Sequence, residues 1–224
     1  PKINDFISQW FCAYPIFQDN RVYRPYHLKH HRFTETDKDP DLALSSPFPI
    51  TRKGFFRKVV RDLSGLTGYR RYSQALLSIF KTEGNNTLDK IKKIWLKIHG
   101  FLITNALIFG GVSIFLDWTL FFLLWWLPAF TYYSLIIRIR NIAEHCVTSG
   151  STDFDNTRTT LTNPMVRFLM APHRVNYHLE HHLFIMCPWY NLPKAHSMMI
   201  ENGYKDKMCI AKSYRSVLMK AVSA

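Results

Sequence analysis

Two apolar runs separated by one acidic residue constrain the fold of this chain most strongly. Residues 101–116 are almost entirely apolar, Asp117 interrupts them, and residues 118–137 contain no charged side chain. A helix needs about 20 residues to cross the hydrocarbon core of a bilayer, and the first run reaches that length when residues 98–100 are included. The sequence therefore predicts a membrane-spanning helical hairpin over residues 98–137 that turns at Asp117.

Charged residues on both sides of the hairpin predict its orientation. The flanking cations are Lys92, Lys93, Lys97, Arg138 and Arg140. Loops on the cytoplasmic side of a membrane carry an excess of Lys and Arg, so we expect both ends of the hairpin to lie in the cytoplasm. We predict an all-α fold of one domain, residues 1–224, in which residues 1–97 and 138–224 form a cytosolic and interfacial cap.

The charge of the chain limits its partners. The net charge is +13, which suggests an anionic partner. Nucleic acid is the least favoured, because the basic residues flank long apolar runs instead of lying beside exposed aromatic residues and Gly-rich loops. Anionic lipid and an acidic protein remain. Residues 51–71 alternate basic and apolar residues with helical spacing, which predicts a helix lying in the interface of an anionic membrane; a solvated basic face is the alternative.

The pattern His-x-x-His-His occurs twice, at His27, His30 and His31 (the upstream box) and at His178, His181 and His182 (the downstream box). Residues spaced i, i+3 and i+4 lie on one side of a helix, so each box is expected to present three imidazoles to one volume. Neutral imidazole is the commonest side-chain metal ligand. One such triplet would be weak support for a metal site, and the duplication makes the prediction stronger.

Further ligands are expected near the end of the hairpin. If the second span continues as a helix, Asn141 and His145 lie one turn apart on one face. His145 is then a seventh candidate imidazole ligand, and Asn141 a weaker ligand or the holder of a bound water. Seven histidines exceed what one ion uses, so two metals are implied. Ligand type alone does not choose among zinc, copper, iron and nickel.

Acidic residues follow the upstream box at Asp37, Asp39 and Asp41. They could form a solvated turn, or one of them could accept the free ring N–H of a ligating histidine. The remaining histidines are His99, His173 and His196. We predict that His173 is not a ligand and assign no role to the other two.

Three helix boundaries are predicted from local signals. The helix of the upstream box should end near Lys38, because Pro40 disfavours helical geometry in the residue before it. Asn163 and Pro164 should open a helix that Pro172 ends. A further helix is expected over residues 191–203.

The motifs together resemble the membrane fatty-acid desaturase family over nearly the whole chain. They are the two boxes, Thr34, the Asp39-Pro40-Asp41 turn, the Asn141-x-x-x-His145 pair, the segment 176–184 and the Tyr190-Asn-Leu-Pro segment. The resemblance implies a pair of irons on the cytosolic face that activates O2 with two electrons from cytochrome b5 or a ferredoxin, and a product with a double bond in an acyl chain. It also implies a set of iron ligands: His27, His30, His31, His145, His178, His181 and His182, with Asn141 near one iron through water.

The chain also departs from the family pattern. Nothing before His27 supplies the earlier histidine box that such families carry, and no Met begins the sequence, so we expect the chain to be the C-terminal part of an enzyme that has two further membrane helices. Ile185 stands where relatives often have Pro, and Trp189 where a basic residue is frequent.

Two other functions compete with desaturation. The same diiron unit could hydroxylate or ketolate a lipid, an alkane or a carotenoid. A non-enzymatic membrane metal-binding or transport protein is disfavoured, because residues 101–137 contain no His or Glu and intramembrane ionisable groups usually mark an ion path.

Overall fold

The computed structural model of the chain describes residues 2–148, 150 and 152–222. The predicted domain also includes Pro1, Ser149, Ser151, Ser223 and Ala224, which lie outside the described residues. The α-helices are, in chain order, α1 (Lys2–Ile7), α2 (Asn20–Phe33), α3 (Leu42–Ser45), α4 (Arg52–Leu63), α5 (Leu66–Phe80), α6 (Thr87–Phe115), α7 (Thr119–Phe121), α8 (Leu127–Phe130), α9 (Tyr132–His145), α10 (Pro164–Met170), α11 (His178–Leu183), α12 (Leu192–Glu201) and α13 (Tyr214–Ala221).

Helices dominate the fold, as the sequence predicts. The prediction of an all-α chain needs one small correction, because β1 (Thr159–Thr160) and β2 (Ile210–Ala211) form a parallel pair. The backbone N–H of Thr159 donates to the carbonyl of Cys209 at 3.0 Å. Such a short pair joins segments distant in sequence, and local patterning gives no signal for it.

The two predicted apolar spans are present. The helical stretches Thr87–Phe115 and Thr119–His145 are each long and apolar enough to cross a membrane. The chain turns between them at Asp117, whose side chain accepts the backbone N–H of Thr119 at 2.8 Å. A wide π-type turn, Phe122–Trp126, precedes Pro128. Because proline has no backbone N–H, it cannot donate the hydrogen bond to the residue four positions earlier that a regular α-helix requires.

The chain divides into two compact units. The first contains Pro1–His27 and Val59–Leu135. Within it, the ring of Tyr14 packs directly on α6 at Gly100, where an added Cβ would lie 2.2 Å from the ring. The side-chain amide of Asn105 donates to the carbonyl of Pro15 at 3.1 Å, so a glycine and a buried amide together hold the N-terminal segment on α6.

The second unit contains Leu28–Lys58 and Ile136–Ala224, and α9 runs through its core. Ile142 and Cys146 pack with Phe48 and with Val217 of α13. The end of α9 is held by the buried guanidinium of Arg158, which donates to the carbonyl of Cys146 at 2.9 Å. A cation at this position satisfies carbonyls that the helix leaves unpaired and interacts favourably with the negative end of the helix dipole.

One predicted helix boundary is wrong and two hold to within a few residues. α2 ends at Phe33, before Lys38, because the Thr34 hydroxyl bonds back to the carbonyl of His30 at 2.8 Å and Glu35 takes a left-handed backbone, φ 59°. Asn163 caps α10 as predicted, accepting the N–H of Val166. α12 ends at Glu201, two residues before the expected end.

Candidate metal centre

Four histidines from three helices meet in the second unit: His30, His145, His178 and His182. One ring nitrogen from each of the four lies within 4.8 Å of the others. The Nε2 atom of His178 lies 2.9 Å from that of His145 and 3.1 Å from that of His182. His30, His145 and His178 are 3–4% exposed, so most of this four-histidine group is shielded from water.

The group depends on the predicted continuation of the second span. α9 stays helical as far as His145, which brings that imidazole to the downstream box on α11. The structure thus brings His145 together with members of both boxes, and its role as a ligand stays a prediction.

A second, smaller contact joins the remaining members of the boxes. The Nε2 atoms of His31 and His181 lie 3.1 Å apart, and both side chains are half-buried. His27 precedes His31 by one turn of α2, on the same stripe of that helix. The rings of His31 and His182 stack with centroids 4.0 Å apart, so the four-histidine group and the His31–His181 pair lie side by side.

Each box presents its rings to one region, as expected, but the rings divide between two adjoining groups. In the downstream box, His178 and His182 enter the four-histidine group, whereas His181 contacts His31. In the upstream box, His30 enters that group and His31 does not. The reason is helical geometry: adjacent residues differ by about 100° around the axis, so the two neighbouring histidines of a box diverge, whereas those at i and i+4 stay aligned.

The outward nitrogens of two imidazoles have fixed hydrogen-bond partners. His30 Nδ1 lies 2.8 Å from Oδ1 of buried Asp39, which confirms that an acidic residue after the upstream box accepts a histidine N–H. His182 Nδ1 lies 3.2 Å from the Thr34 hydroxyl, which donates its own proton to the carbonyl of His30. With Nδ1 of each ring donating outward, the Nε2 lone pair faces the group.

Sequence reasoning missed a second set of supporting residues around Glu180. This carboxylate is fully buried between the histidines of the downstream box and lies 2.5 Å from Nδ1 of His196. The Thr159 hydroxyl on β1 donates to its other oxygen. A carboxylate inside the pattern His-Leu-Glu-His-His signals that a buried partner is needed. The sequence cannot say that the partner is His196, because it lies on another helix.

Burial keeps the imidazoles of the downstream box neutral. It lowers the pKa of His178 and of His182, and the neighbouring imidazoles lower these pKa values further. Burial also lowers the pKa of His181. Neutral rings retain the lone pair that a metal requires, so protons compete weakly for this site at neutral pH.

The other predicted residues have distinct places. Asn141 is half-buried one turn before His145, and its side-chain oxygen lies 4.0 Å from the thiol sulfur of Cys146. His173 is exposed and packs against Trp189, consistent with the prediction that it is not a ligand. His99 lies on α6 near the carbonyl of Trp95.

The donor set fits a transition metal of the imidazole-binding class. Two nitrogens bound to one ion at about 2.1 Å and at right angles lie about 3.0 Å apart, close to the 2.9 and 3.1 Å separations around His178. Convergence of neutral nitrogens in a buried space is unfavourable unless a proton or a cation lies between them. The residues present therefore fit metal binding, and they do not select iron over zinc or copper.

Comparison with known proteins gives the family. The model of the family described as fatty acid desaturase matches residues 1–211. The chain belongs to the fatty acid desaturase family. Membership accounts for both apolar spans and for the histidine cluster, and it confirms the resemblance inferred from the boxes.

A curated relative gives a second comparison. The dihydrorhizobitoxine desaturase of Bradyrhizobium elkanii is 27% identical over 237 aligned positions, which cover 94% of this chain. The chain spans 61% of that relative's length. No solved structure shows a significant match to the chain.

Proposed function

We propose that this desaturase-family chain belongs to a membrane-bound, O2-dependent diiron enzyme that introduces a double bond into a fatty acyl chain. The observation that carries the proposal is the pair of adjoining imidazole groups, in which each histidine box contributes to both. A single structural ion would not need two groups that share the same two helices. Family membership supports iron as the metal.

The proposed ligands divide between two ions. The four-histidine group, His30, His145, His178 and His182, would hold one ion. His31 and His181, with His27 on the same stripe of α2, would hold the other, and Asn141 would hold a water close to one of them. When bound, the iron pair supplies oxidation by dioxygen, which removes two hydrogens from adjacent carbons.

The protein's own residues would keep this centre ready for that chemistry. Asp39 and Thr34 orient His30 and His182 with their Nε2 atoms inward. Glu180, bonded to His196 and Thr159, would hold α11 in the position from which His182 faces the four-histidine group and His181 faces His31. Burial of His178 excludes water that would otherwise intercept reactive oxygen species.

Product analysis of the complete gene product tests the reaction. Expressed in a host that lacks the product, it should give fatty acids lighter by two mass units than their precursors, in an iron-dependent manner. A gain of oxygen would instead identify a hydroxylase or ketolase. An unchanged lipid profile with normal iron content would contradict acyl desaturation.

His181→Ala provides the matched test of the centre. We expect it to abolish turnover together with loading of the second iron, because His181 contacts His31 across the smaller group. His173→Ala is the control, since that exposed histidine packs on Trp189 away from both groups. Full activity with two irons per chain in His181→Ala would remove His181 from the ligand set.

We also propose that an acidic electron carrier, a ferredoxin or cytochrome b5, reduces the centre from the cytoplasmic side. The net charge of +13 supports attraction of an acidic protein. The rate of reduction should fall as ionic strength rises, because salt screens such attraction beyond about 10 Å at 0.1 M. Stopped-flow reduction rates that do not change with salt would contradict this docking.

A further inference from the structure

The second unit presents an apolar patch outside the metal centre. We define the apolar patch as Met165, Phe168, Leu169, Met186, Trp189 and Tyr190, all of them exposed. Phe168 and Met186 are 81% and 90% exposed, which is unusual for large apolar side chains. A contiguous exposed area of this kind marks an interface with a protein or a membrane.

The patch begins on α10, which is apolar on both sides. Val166 and Met170 pack inward against the cluster formed by Ala143 of α9, Ala171 and Tyr214. Met165, Phe168 and Leu169 have the spacing i, i+3 and i+4, so they form a second apolar face that points away from this core. Apolar side chains on both the packed and the exposed side of a helix are typical of a helix that is buried or in contact with lipid.

The patch continues onto the segment after the downstream box. α10 contacts the turn at Pro172–Arg174, which contacts the turn at Trp189–Asn191. The rings of His173 and Trp189 lie 5.2 Å apart. The turn at Pro172–Arg174 thus joins the two apolar segments of the patch.

The position of α10 along α9 favours lipid as the occupant. α9 emerges from a run without charged residues that ends at Ile137. Ile139 and Ala143, which share a hydrophobic cluster with α10, lie two and six residues further, or about 3–9 Å along the helix axis. Interfacial helices bury their apolar faces about 5–10 Å deep at the boundary of headgroups and acyl chains, a range comparable with this distance along α9.

The chemistry of the patch agrees with this placement. Trp189 and Tyr190 are the aromatic types that concentrate at membrane interfaces. Arg167 lies in α10, Arg174 in the turn that follows it and Lys194 shortly after Tyr190, so these cations can meet lipid phosphates. An acidic soluble carrier would instead be expected to contact a surface rich in cations.

We propose that α10 and the segment around Met186–Tyr190 insert into the headgroup region of an anionic bilayer, so that the histidine-bearing unit has its own lipid contact besides the apolar spans. This contact does not depend on which reaction the metal centre performs. The proposed occupant of the apolar patch is lipid and not a second protein.

Depth-dependent quenching tests the proposal in the full chain. Cys12, Cys187 and Cys209 are replaced by Ser, buried Cys146 is kept, and an environment-sensitive fluorophore is attached at Phe168→Cys or Met186→Cys. In nanodiscs of phosphatidylcholine with a minority of phosphatidylglycerol, we expect a blue-shifted emission. Lipid spin-labelled near the headgroup should remove about half or more of that emission. Asp206→Cys, on an exposed turn, is the control and should show neither effect.

Three outcomes would overturn the inference. Labels at both positions could behave like the label at 206, which would place the patch in water. The emission of the labels could be blue-shifted but not quenched by the spin-labelled lipid, while two copies of the chain cross-link at these positions. That result would assign the patch to a second copy of the chain. The spin-labelled lipid could quench the emission of the labels only when a soluble partner is absent, which would assign the apolar patch to that partner. Leu169→Cys and Trp189→Cys repeat the measurement if the first pair does not fold, as judged by metal content.

Discussion

The four-histidine group and the His31–His181 pair use the same two helices but differ in their surroundings. In the four-histidine group, His30, His145 and His178 are almost completely buried, and Asp39 and Thr34 fix two of the rings. His31 and His181 are half-buried. The protein therefore combines a closed, well-supported site with a more accessible one.

This difference suggests a division of labour at the proposed centre. Metal sites enclosed by several protein ligands favour tight binding, whereas catalytic sites keep a position open for substrate or water. We infer that the four-histidine group determines metal retention, and that the His31–His181 side admits small reactants. Four predictions test this contrast, from the largest expected effect to the smallest.

Replacing His178 should have the largest effect, because its Nε2 atom lies close to those of both His145 and His182. His178→Gln keeps a polar side chain of similar size but removes the imidazole at the middle of the group. We expect turnover to fall by more than about 100-fold, beyond the loss typical of supporting residues. Metal content should fall by at least one ion per chain, measured by elemental analysis. Normal metal content would show that the group is not a metal site.

The contact between Asp39 and His30 should matter next. Asp39→Asn removes the charge that supports the ring and should weaken metal affinity about 10–100-fold, as loss of such partners does elsewhere. Competition with a chelator measures the affinity. Asp37→Asn, at an exposed position nearby, should change it little. Equal affinities in the two variants would contradict a role for Asp39 in orienting the ligand.

Chelator kinetics compare the two groups directly. A strong chelator should remove the ion beside His31 and His181 first and the ion of the four-histidine group several-fold more slowly, because burial limits access to the latter. Metal release is followed by an absorbing chelator in stopped-flow mixing. A single phase that accounts for all the metal would argue against different accessibility.

The smallest effect concerns the metal-free protein at acidic pH. Burial lowers the pKa of His178 in the folded state below its ordinary value of 6.5, so the unfolded chain binds more protons below that pH. Stability is then complete above about pH 6.5 and is lost as the pH falls, by at most about 1.4 kcal/mol per pH unit for this group. The melting temperature should drop by a few degrees between about pH 7 and pH 6.

His178→Gln is the control for that measurement. It should reduce the dependence of the melting temperature on pH, because the titrating group is gone. A melting temperature that rises on acidification would mean that the folded state favours the protonated ring, opposite to the effect of burial.

Periodic and local features of the fold were predictable. The apolar spans follow from the length of the uncharged runs, and Asn163 signals the start of α10. The end of α2 was predicted too late, because Pro40 is a visible signal and the competing bond from Thr34 to the His30 carbonyl is not.

The sequence predicted which histidines come together, but not how they are arranged. The histidine spacing identified both boxes, and the acidic residues after His31 offered candidate carboxylate partners, of which Asp39 contacts His30. The hydrogen bonds of Glu180 with His196 and Thr159 form only because α11, α12 and β1 meet in the folded chain. Such contacts leave no periodic trace in a single sequence.

The sequence by itself determined that the chain has two apolar spans and two clusters of imidazoles, because the length of an apolar run and the spacing of histidines are both features of the local sequence. Only the tertiary structure decided which imidazoles face each other. Neighbouring histidines on a helix point about 100° apart, so the partner of each ring depends on the helix packed against it. Packing places His182 beside His30 and His145 but His181 beside His31, although His181 and His182 are adjacent in sequence.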